Sequence, residues 1–528
     1  MSNQKEYPVR FAAKGLSDAY DSTETFSGAC TSLQNLIFDP ANPELVVCRP
    51  GVGDPIIELE GGFISCQIAV GNYIYGMIAS STLTGKDEPF CYKIGTGVIT
   101  VTGAIAGNTP ASPATTGDWV PPTMAIVGVS ILVTHPGFPG STVKFGIINI
   151  TNPATPTWSA GDTATHTLPS VPTAVVNFNN RAYFACANTV YFSDVLVPAT
   201  MTNAGQSLTV GDSSRIAGLV GLPVQTSSAG IVSALIVFKE FQIWQITGDN
   251  TSLAMSFMSL TIGTTSPRAI VQTPVGIIFI SVDGPYCILS TGILTPLTNE
   301  YGKFDQDLKT PFQNMLYPSR AAAAFSGAIY RVCVVAQNGV SNDYWFDITK
   351  RRWNGPHTFA YDCASQVGNY FILSGQDSGP NLFESIYSPN PVGQVEYLDN
   401  AVAIVVNLKS AQLPKTPNIN MKQIIESTIE MSAQNASSIQ IDAYNEGDEL
   451  LDSQRLVSIG AVAGVWGVSV WGQCYWGAAI SAPATFTIPW AKPLVFKKLY
   501  VNITAVSNNY LSIGSFFAKY RDAGYTNR

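Results

Sequence analysis

Three histidines, His135, His166 and His357, are the first places to look for chemistry in this 528-residue chain. A metal site built on one element needs a second ligand, and none of the three has one two or four residues further on. His135 and His357 stand beside prolines, which places them in loops. Nine cysteines, Cys30, Cys48, Cys66, Cys91, Cys186, Cys287, Cys333, Cys363 and Cys474, form no C-x-x-C pair, and their number is odd. They read as buried, reduced thiols of a protein made in a cytoplasm. The phosphate-cradling G-x-x-x-x-G-K-[ST], the zinc-binding H-E-x-x-H and the nucleophile-bearing G-x-S-x-G are all missing. The expectation is a chain with no catalytic residue, no cofactor and no metal, and hence not an enzyme.

Charge carries more information. The net charge is −8 and only 12% of residues are charged, about half the usual share, while 46% are hydrophobic. An acidic chain does not grip phosphates, although DNA could slide past it. The acids Asp249, Asp283, Glu446, Asp448 and Glu449 fall in loops and read as unpaired candidates for the wall of such a channel. The longest strongly apolar run, Ile231 to Phe238, stops at Lys239, far short of the roughly 20 residues of a spanning helix. Sparse charge therefore points to broad contacts between copies, without stable membrane insertion. The start, Met1-Ser2-Asn3-Gln4-Lys5-Glu6, is polar and shows no signal peptide. Lys350-Arg351-Arg352 is the one tight basic cluster and reads as a solvated turn.

The elements that must position these groups repeat. A turn residue followed by a short β run recurs at Gly71, Gly128, Asn180, Glu240, Gly276, Gly327 and Gly368. The interval is mostly about 40 to 60 residues, the period of a four-stranded propeller blade. Such blades bury their faces only by stacking in a ring. The pattern predicts an all-β protein with a six- or seven-bladed β-propeller over residues 61–390. Residues 1–60, broken by prolines and glycines, read as an extended docking segment that lies against another subunit, with Leu33, Leu36, Arg49 and Pro50 as candidate contacts. Residues 391–528 read as a β-sandwich. Within it, the uncharged stretch Val457 to Ala491 spaces Trp466, Trp471 and Trp476 by five, a hairpin packed in a core or a loop that touches a partner.

Ser281-Val282-Asp283-Gly284 matches half of the Asp-box of sialidase propellers, but Pro285-Tyr286 follows where Thr-Trp would close it. An Asp-Gly turn explains the phrase without function. The order of larger pieces resembles the tail nozzle, or tail hub, proteins of short-tailed bacteriophages. The likeness rests on Val47-Cys48-Arg49-Pro50-Gly51 at the end of the lead-in and on Leu235 to Trp244 running into Thr247-Gly248. It continues through Gly276 to Ser281 with Asp283-Gly284, Tyr344-Trp345-Phe346-Asp347 before Trp353, and a terminal β domain. The resemblance implies a structural virion protein, made in the host cytoplasm and located in the tail. It implies a hexameric ring that extends the portal and adaptor channel, retains packaged DNA and guides its ejection. Adaptor or portal proteins and tail fibres or spikes would be partners, and genomic double-stranded DNA would pass without specific binding. The alternative is a carbohydrate-binding or glycoside-hydrolysing propeller.

Overall fold

The computed structural model describes residues 5–11, 15–18, 29–40, 42, 44–81, 85–103, 109–112, 120–162, 168–203, 205–226, 230–248, 252–297, 308–386, 397–413, 420–433, 437–458, 463–464, 475–476, 484–507 and 510–524. Nearly all of its regular structure is antiparallel β. Among the described residues the α-helix is confined to one turn, Thr310–Gln313.

Among the described residues, seven successive sheets follow one another around the propeller. Blade A spans residues 63–99, B 123–162, C 174–209, D 216–259, E 271–296, F 322–357 and G 363–385. The second strand of each blade is apolar on both faces because it is covered on both. In blade D, Leu235 and Val237 pack toward blade C, while Ile236 and Phe238 pack toward blade E. This is why the repeat reads as continuous apolar runs rather than as alternation. Positive φ at Gly71, Gly128, Asn180, Gly327 and Gly368 turns the first strand of a blade into the second. Glu240 departs from the pattern. It joins the second and third strands of blade D, because the strand Ile216–Thr226 precedes the run that the repeat marks as first. Blades G and A close the ring through Gln67. Its amide donates to Ser365 Oγ (3.1 Å) and to the Ile372 carbonyl (2.8 Å), and its oxygen accepts from Ser374 (2.7 Å).

Residues 1–60 overturn the expectation of an extended docking segment. Their described stretches form structural strands of both domains. Ile57–Glu58 is the outermost strand of blade G. Ala29–Gln34 lies between Arg352–His357 of blade F and Val402–Ser410, so that one sheet runs from the propeller into the sandwich. Leu36–Phe38 and Val46–Cys48 join the opposite sheet beside Leu511–Gly524, whose other stretch pairs with Lys5–Arg10. Leu33, Leu36, Arg49 and Pro50 are buried within the chain's own core and offer nothing to a neighbour. The reason is physical. Each short apolar run here lacks a core of its own and finds one in a distant sheet edge.

The sandwich faces one sheet, built on Val402–Ser410, Leu499–Ser507, Ser437–Asn445 and Leu450–Ser458, against another built on Leu511–Gly524 and Met421–Ala433. Ile404, Val406, Ile441 and Ile503 meet Ile429, Met431, Ile513 and Phe516 between them, and the same core continues into blades E, F and G. Arg49 seals the seam. It is fully buried, grips the Asp399 carboxylate with both terminal nitrogens, and donates from Nε to Asn35 Oδ1 (3.0 Å). The phrase Val47-Cys48-Arg49-Pro50-Gly51 is thus a joint inside one chain. A Cβ at position 51 would strike the Leu398 backbone, so only glycine fits.

Candidate functional site

The loops that lead into the first strands of blades B to F converge on the propeller axis. Val120, Pro121, Thr173, Ile216, Thr264 and Ser319 line a funnel there of about 100 Å³, with Arg215 and Glu240 exposed at its mouth. Two short 3₁₀ turns, Pro267–Ala269 and Pro318–Arg320, set arginines across the base. Arg268 reaches from the blade E entrance to blades A and G, donating from Nη1 to the Ser65 carbonyl (3.0 Å) and to Cys363 Sγ (3.1 Å). Arg320 pairs with Asp362 (3.2 Å) and Asp377 (3.3 Å). These pairings tie blades E and F to blades A and G through a plug of guanidinium and carboxylate groups. Burial pushes the Asp362 carboxyl up, and the neighbouring Arg268 and Arg320 charges oppose it. Burial holds the Cys363 thiol up at about 12, so it carries no thiolate at neutral pH.

His135 is fully buried against Asp87, with 2.6 Å between Nε2 and Oδ2, while its Nδ1 accepts the Gly137 amide (2.9 Å). Both ring nitrogens are occupied. Ser112 Oγ donates to the same Asp87 (2.8 Å) and not to the imidazole, so the trio does not form a nucleophile with its base. His166 lies outside the described residues. The eight described cysteines are buried and make no disulfide.

His357 lies in the core against the Trp345 ring, with Nε2 donating to Asn354 Oδ1 (2.8 Å). Burial, and then the charges of Arg49 and Arg331, hold its pKa well below the usual value. The unfolded chain protonates this imidazole below about pH 6.5 while the folded chain keeps it neutral. The unfolded state thus binds more protons, and stability contributed above that pH is lost as pH falls. His357→Gln is expected to remove about 1 kcal/mol of pH dependence between pH 6.5 and 5.5, and a slope approaching about 1.4 kcal/mol per pH unit below that. Urea midpoints of both chains at several pH values measure it, and equal slopes would refute it.

The four described channel acids are neither unpaired nor all together. Asp283, on the Ser281–Gly284 turn of blade E, accepts from the Tyr286 hydroxyl (2.8 Å). Glu446, Asp448 and Glu449 share a hairpin turn in the sandwich. Glu446 accepts the Lys498 amide (3.2 Å), Asp448 the Tyr500 hydroxyl (2.6 Å), and Glu449 the Asn445 side-chain amide (3.0 Å). Local turn contacts satisfy Asp283 and Glu449, while Glu446 and Asp448 are met by the strand start 52 residues on, which a loop assignment from sequence does not foresee. Asp249, Trp466 and Trp471 lie outside the described residues. The backbone of Trp476 pairs in parallel with Gly464, and its side chain is likewise outside the description. In the basic cluster, Lys350 and Arg351 occupy the turn, but Arg352 is buried over the Phe38 ring at 4.2 Å. What the sequence did not reveal is the axial pair Arg268 and Arg320. Their one local signal is an adjoining Pro-x-x or Pro-x start of a 3₁₀ turn.

No protein-family model matches the sequence, and no curated protein matches it. Solved structures do match in shape. The fold is a β-propeller. The β-propeller domain of the Trilobed protease from Pyrococcus furiosus is similar, with 8% identity and a TM-score of 0.34, covering 62% of this chain and 96% of that one. A puromycin hydrolase is similar over 66% of this chain and 58% of its own, with 10% identity and a TM-score of 0.38. So is a puromycin-hydrolysing peptidase from Mycobacterium tuberculosis, over 66% and 57%, with 11% identity and a TM-score of 0.34. This chain thus spans less than two thirds of either enzyme. The expectation that the chain is not an enzyme is corrected by these neighbours, since hydrolases stand among the proteins that share its architecture. At this identity the likeness extends to the fold alone, and no activity is transferred.

Proposed function

We propose that this chain is a structural protein of a virion tail, a subunit of an oligomeric nozzle that extends the portal and adaptor channel, retains packaged DNA and guides its ejection. The observation that carries the reading is the order of motifs along the chain, from the Val47 to Gly51 phrase through the propeller phrases to a terminal β domain. A charge fraction of 12% and a net charge of −8 support it, because copies can meet over broad uncharged faces while phosphates are repelled. The plugged propeller axis supports a passage bounded by several copies over one through a single propeller. Portal or adaptor proteins and fibres or spikes are the expected partners, and a hexamer the expected ring. Negative-stain imaging of the purified chain, alone and mixed with portal and adaptor proteins, tests this. Rings that stack on the adaptor are expected, and a chain that stays monomeric in both samples would refute the reading.

A second reading, a carbohydrate-binding or glycoside-hydrolysing propeller, draws support from the funnel with its hydroxyl lining of Thr173, Ser214, Thr264 and Ser319. Binding on a glycan array that is lost on filling the funnel with Ala217→Trp would favour it over the nozzle.

A further inference from the structure

A cleft of about 410 Å³ opens where blade G meets the sandwich. Phe359 and Phe383 line its floor, packed edge to face with ring centres 5.1 Å apart. The propeller side supplies Asp377, on the 3₁₀ turn Gln376–Ser378, and Asn381, the first residue of the third strand of blade G. The sandwich side supplies Asp399 and Asn400, from the turn that leads into Val402–Ser410. Domain seams are common places for small-ligand sites, and their usual volume is about 300–1,000 Å³.

The sandwich lip of the cleft is held rigidly. Leu398 and Asp399 pair with Ala403 and Val402 across a tight turn in which Asn400 and Ala401 both take positive φ, 48° and 66°. Ala401 thus sits in a conformation that glycine adopts more easily. The lead-in clamps this turn in place. The Asn400 amide donates to the Gly53 carbonyl (3.0 Å), and the Gly53 amide donates to the Leu398 carbonyl (3.1 Å).

Charge narrows the class of ligand. Two carboxylates border the cleft, and both are balanced. Arg49 grips Asp399, and Arg320 lies 3.3 Å from Asp377. Arg320 is shared with Asp362, where Arg268 supplies the second positive charge. No basic side chain lines the cleft among the described residues. A cation therefore finds no unbalanced charge, and an anion finds carboxylate oxygen with no lining base to receive it. Acceptors are what the cleft offers. Asn381 Oδ1 is enclosed and has no donor among the described residues. Asp377 gives its Oδ2 to Arg320 and to the Ser341 hydroxyl (2.7 Å), while its side chain stays 43% exposed. An enclosed acceptor without a donor costs free energy that a ligand O–H recovers. A sugar meets these conditions together. Its hydroxyls donate without charge, and its C–H face can rest on an apolar floor.

We infer that this seam is a binding site for a short neutral saccharide, with Asn381 and Asp377 accepting its hydroxyls and Asn400 meeting it from the sandwich side. The inference rests on the second reading above and moves the ligand to a place that shares no lining residue with the funnel. Saturation-transfer difference NMR on the full chain tests it, with maltose, cellobiose and lactose as neutral probes and glucuronate and glucosamine as charged ones. At least one neutral probe is expected to bind the wild-type chain, and Asn381→Leu to weaken it about tenfold, the worth of one hydrogen bond. Asn400→Gly suits the positive φ and removes only the side chain, so it is expected to weaken binding in a folded chain. It stands in for Asn381→Leu if near-ultraviolet circular dichroism shows that variant to be misfolded. Ala217→Trp, in the funnel, should leave binding unchanged. Binding that falls with Ala217→Trp and with neither seam variant would overturn the seam and leave the carbohydrate reading standing. Tighter binding of either charged probe than of every neutral one would overturn the charge argument. A wild-type chain that binds none of the probes would sink the seam and the carbohydrate reading together.

Discussion

A chain lacking residues 1–39 is expected to lose its sandwich and to expose the open flank of blade F. The deletion removes Leu33, Leu36, Ile37 and Phe38, all fully or almost fully buried, together with the strand that joins Arg352–His357 to Val402–Ser410. Deleting one buried large apolar side chain costs about 2–5 kcal/mol. Four such losses match or exceed the roughly 5–15 kcal/mol that holds a whole domain together. Arg352, stacked on Phe38, would lose that cover as well. Limited proteolysis should then clear everything beyond about residue 397 while blades B to E persist longest. A soluble truncated chain with a protease-resistant sandwich would show that the lead-in is dispensable, as the sequence alone suggested.

The second large effect is expected at Arg331. Its guanidinium is fully buried between blades F and G, with Nε on Asp343 Oδ2 (2.7 Å) and Nη1 on Ser385 Oγ (2.7 Å). The Trp345, Tyr361 and Phe371 rings surround it, the nearest centroid at 4.6 Å. Asp343 also accepts the Trp345 indole (2.6 Å) and the Tyr361 hydroxyl (2.8 Å). Removing the cation leaves a carboxylate in a site without solvent. Arg331→Met should therefore cost about 3–5 kcal/mol in urea unfolding. Adding Asp343→Leu takes away the stranded charge and should recover part of that loss, although the Trp345 and Tyr361 donors then go unpaired. If the double variant is no more stable than the single one, charge burial is not what Arg331 relieves.

The propeller was legible because its signal is local. A turn residue with positive φ and an apolar run recur wherever a first strand meets a second, as at Gly128 and Gly327. The reading slipped at Glu240 because blade D opens with a long hairpin, Ile216–Thr226 to Gly230–Lys239, that lacks this signature. The sandwich strands Val402–Ser410 and Leu499–Ser507 alternate strongly and were visible for the same reason. Leu450–Ser458 was not, since Asp452, Gln454 and Arg455 mask its alternation at the sheet edge. The lead-in failed most completely. Nothing near Leu33 indicates that its partners are Gly355 and Leu408, because pairing across more than 300 residues leaves no periodicity to read. Buried charges such as Arg49, Arg320 and Arg331 look like any surface arginine until their carboxylates are located in space. The site suffers from this most, because the axial plug is made of them.

The strand Lys5–Arg10 pairs with the far end of the chain, Lys5 opposite Tyr520. On a ribosome adding about 5–20 residues per second, more than 500 residues separate the two partners, a delay of roughly half a minute to two minutes. For most of that interval Leu33, Ile37 and Phe38 have been made without the sheets that bury them, since Arg352–His357, Val402–Ser410 and Leu511–Gly524 come late. Each nascent chain therefore carries this adhesive segment through most of its synthesis. Neighbouring ribosomes on one message hold such segments within reach of one another, so yield in the cell should depend on chaperones that shield the first 50 residues until the last strand arrives.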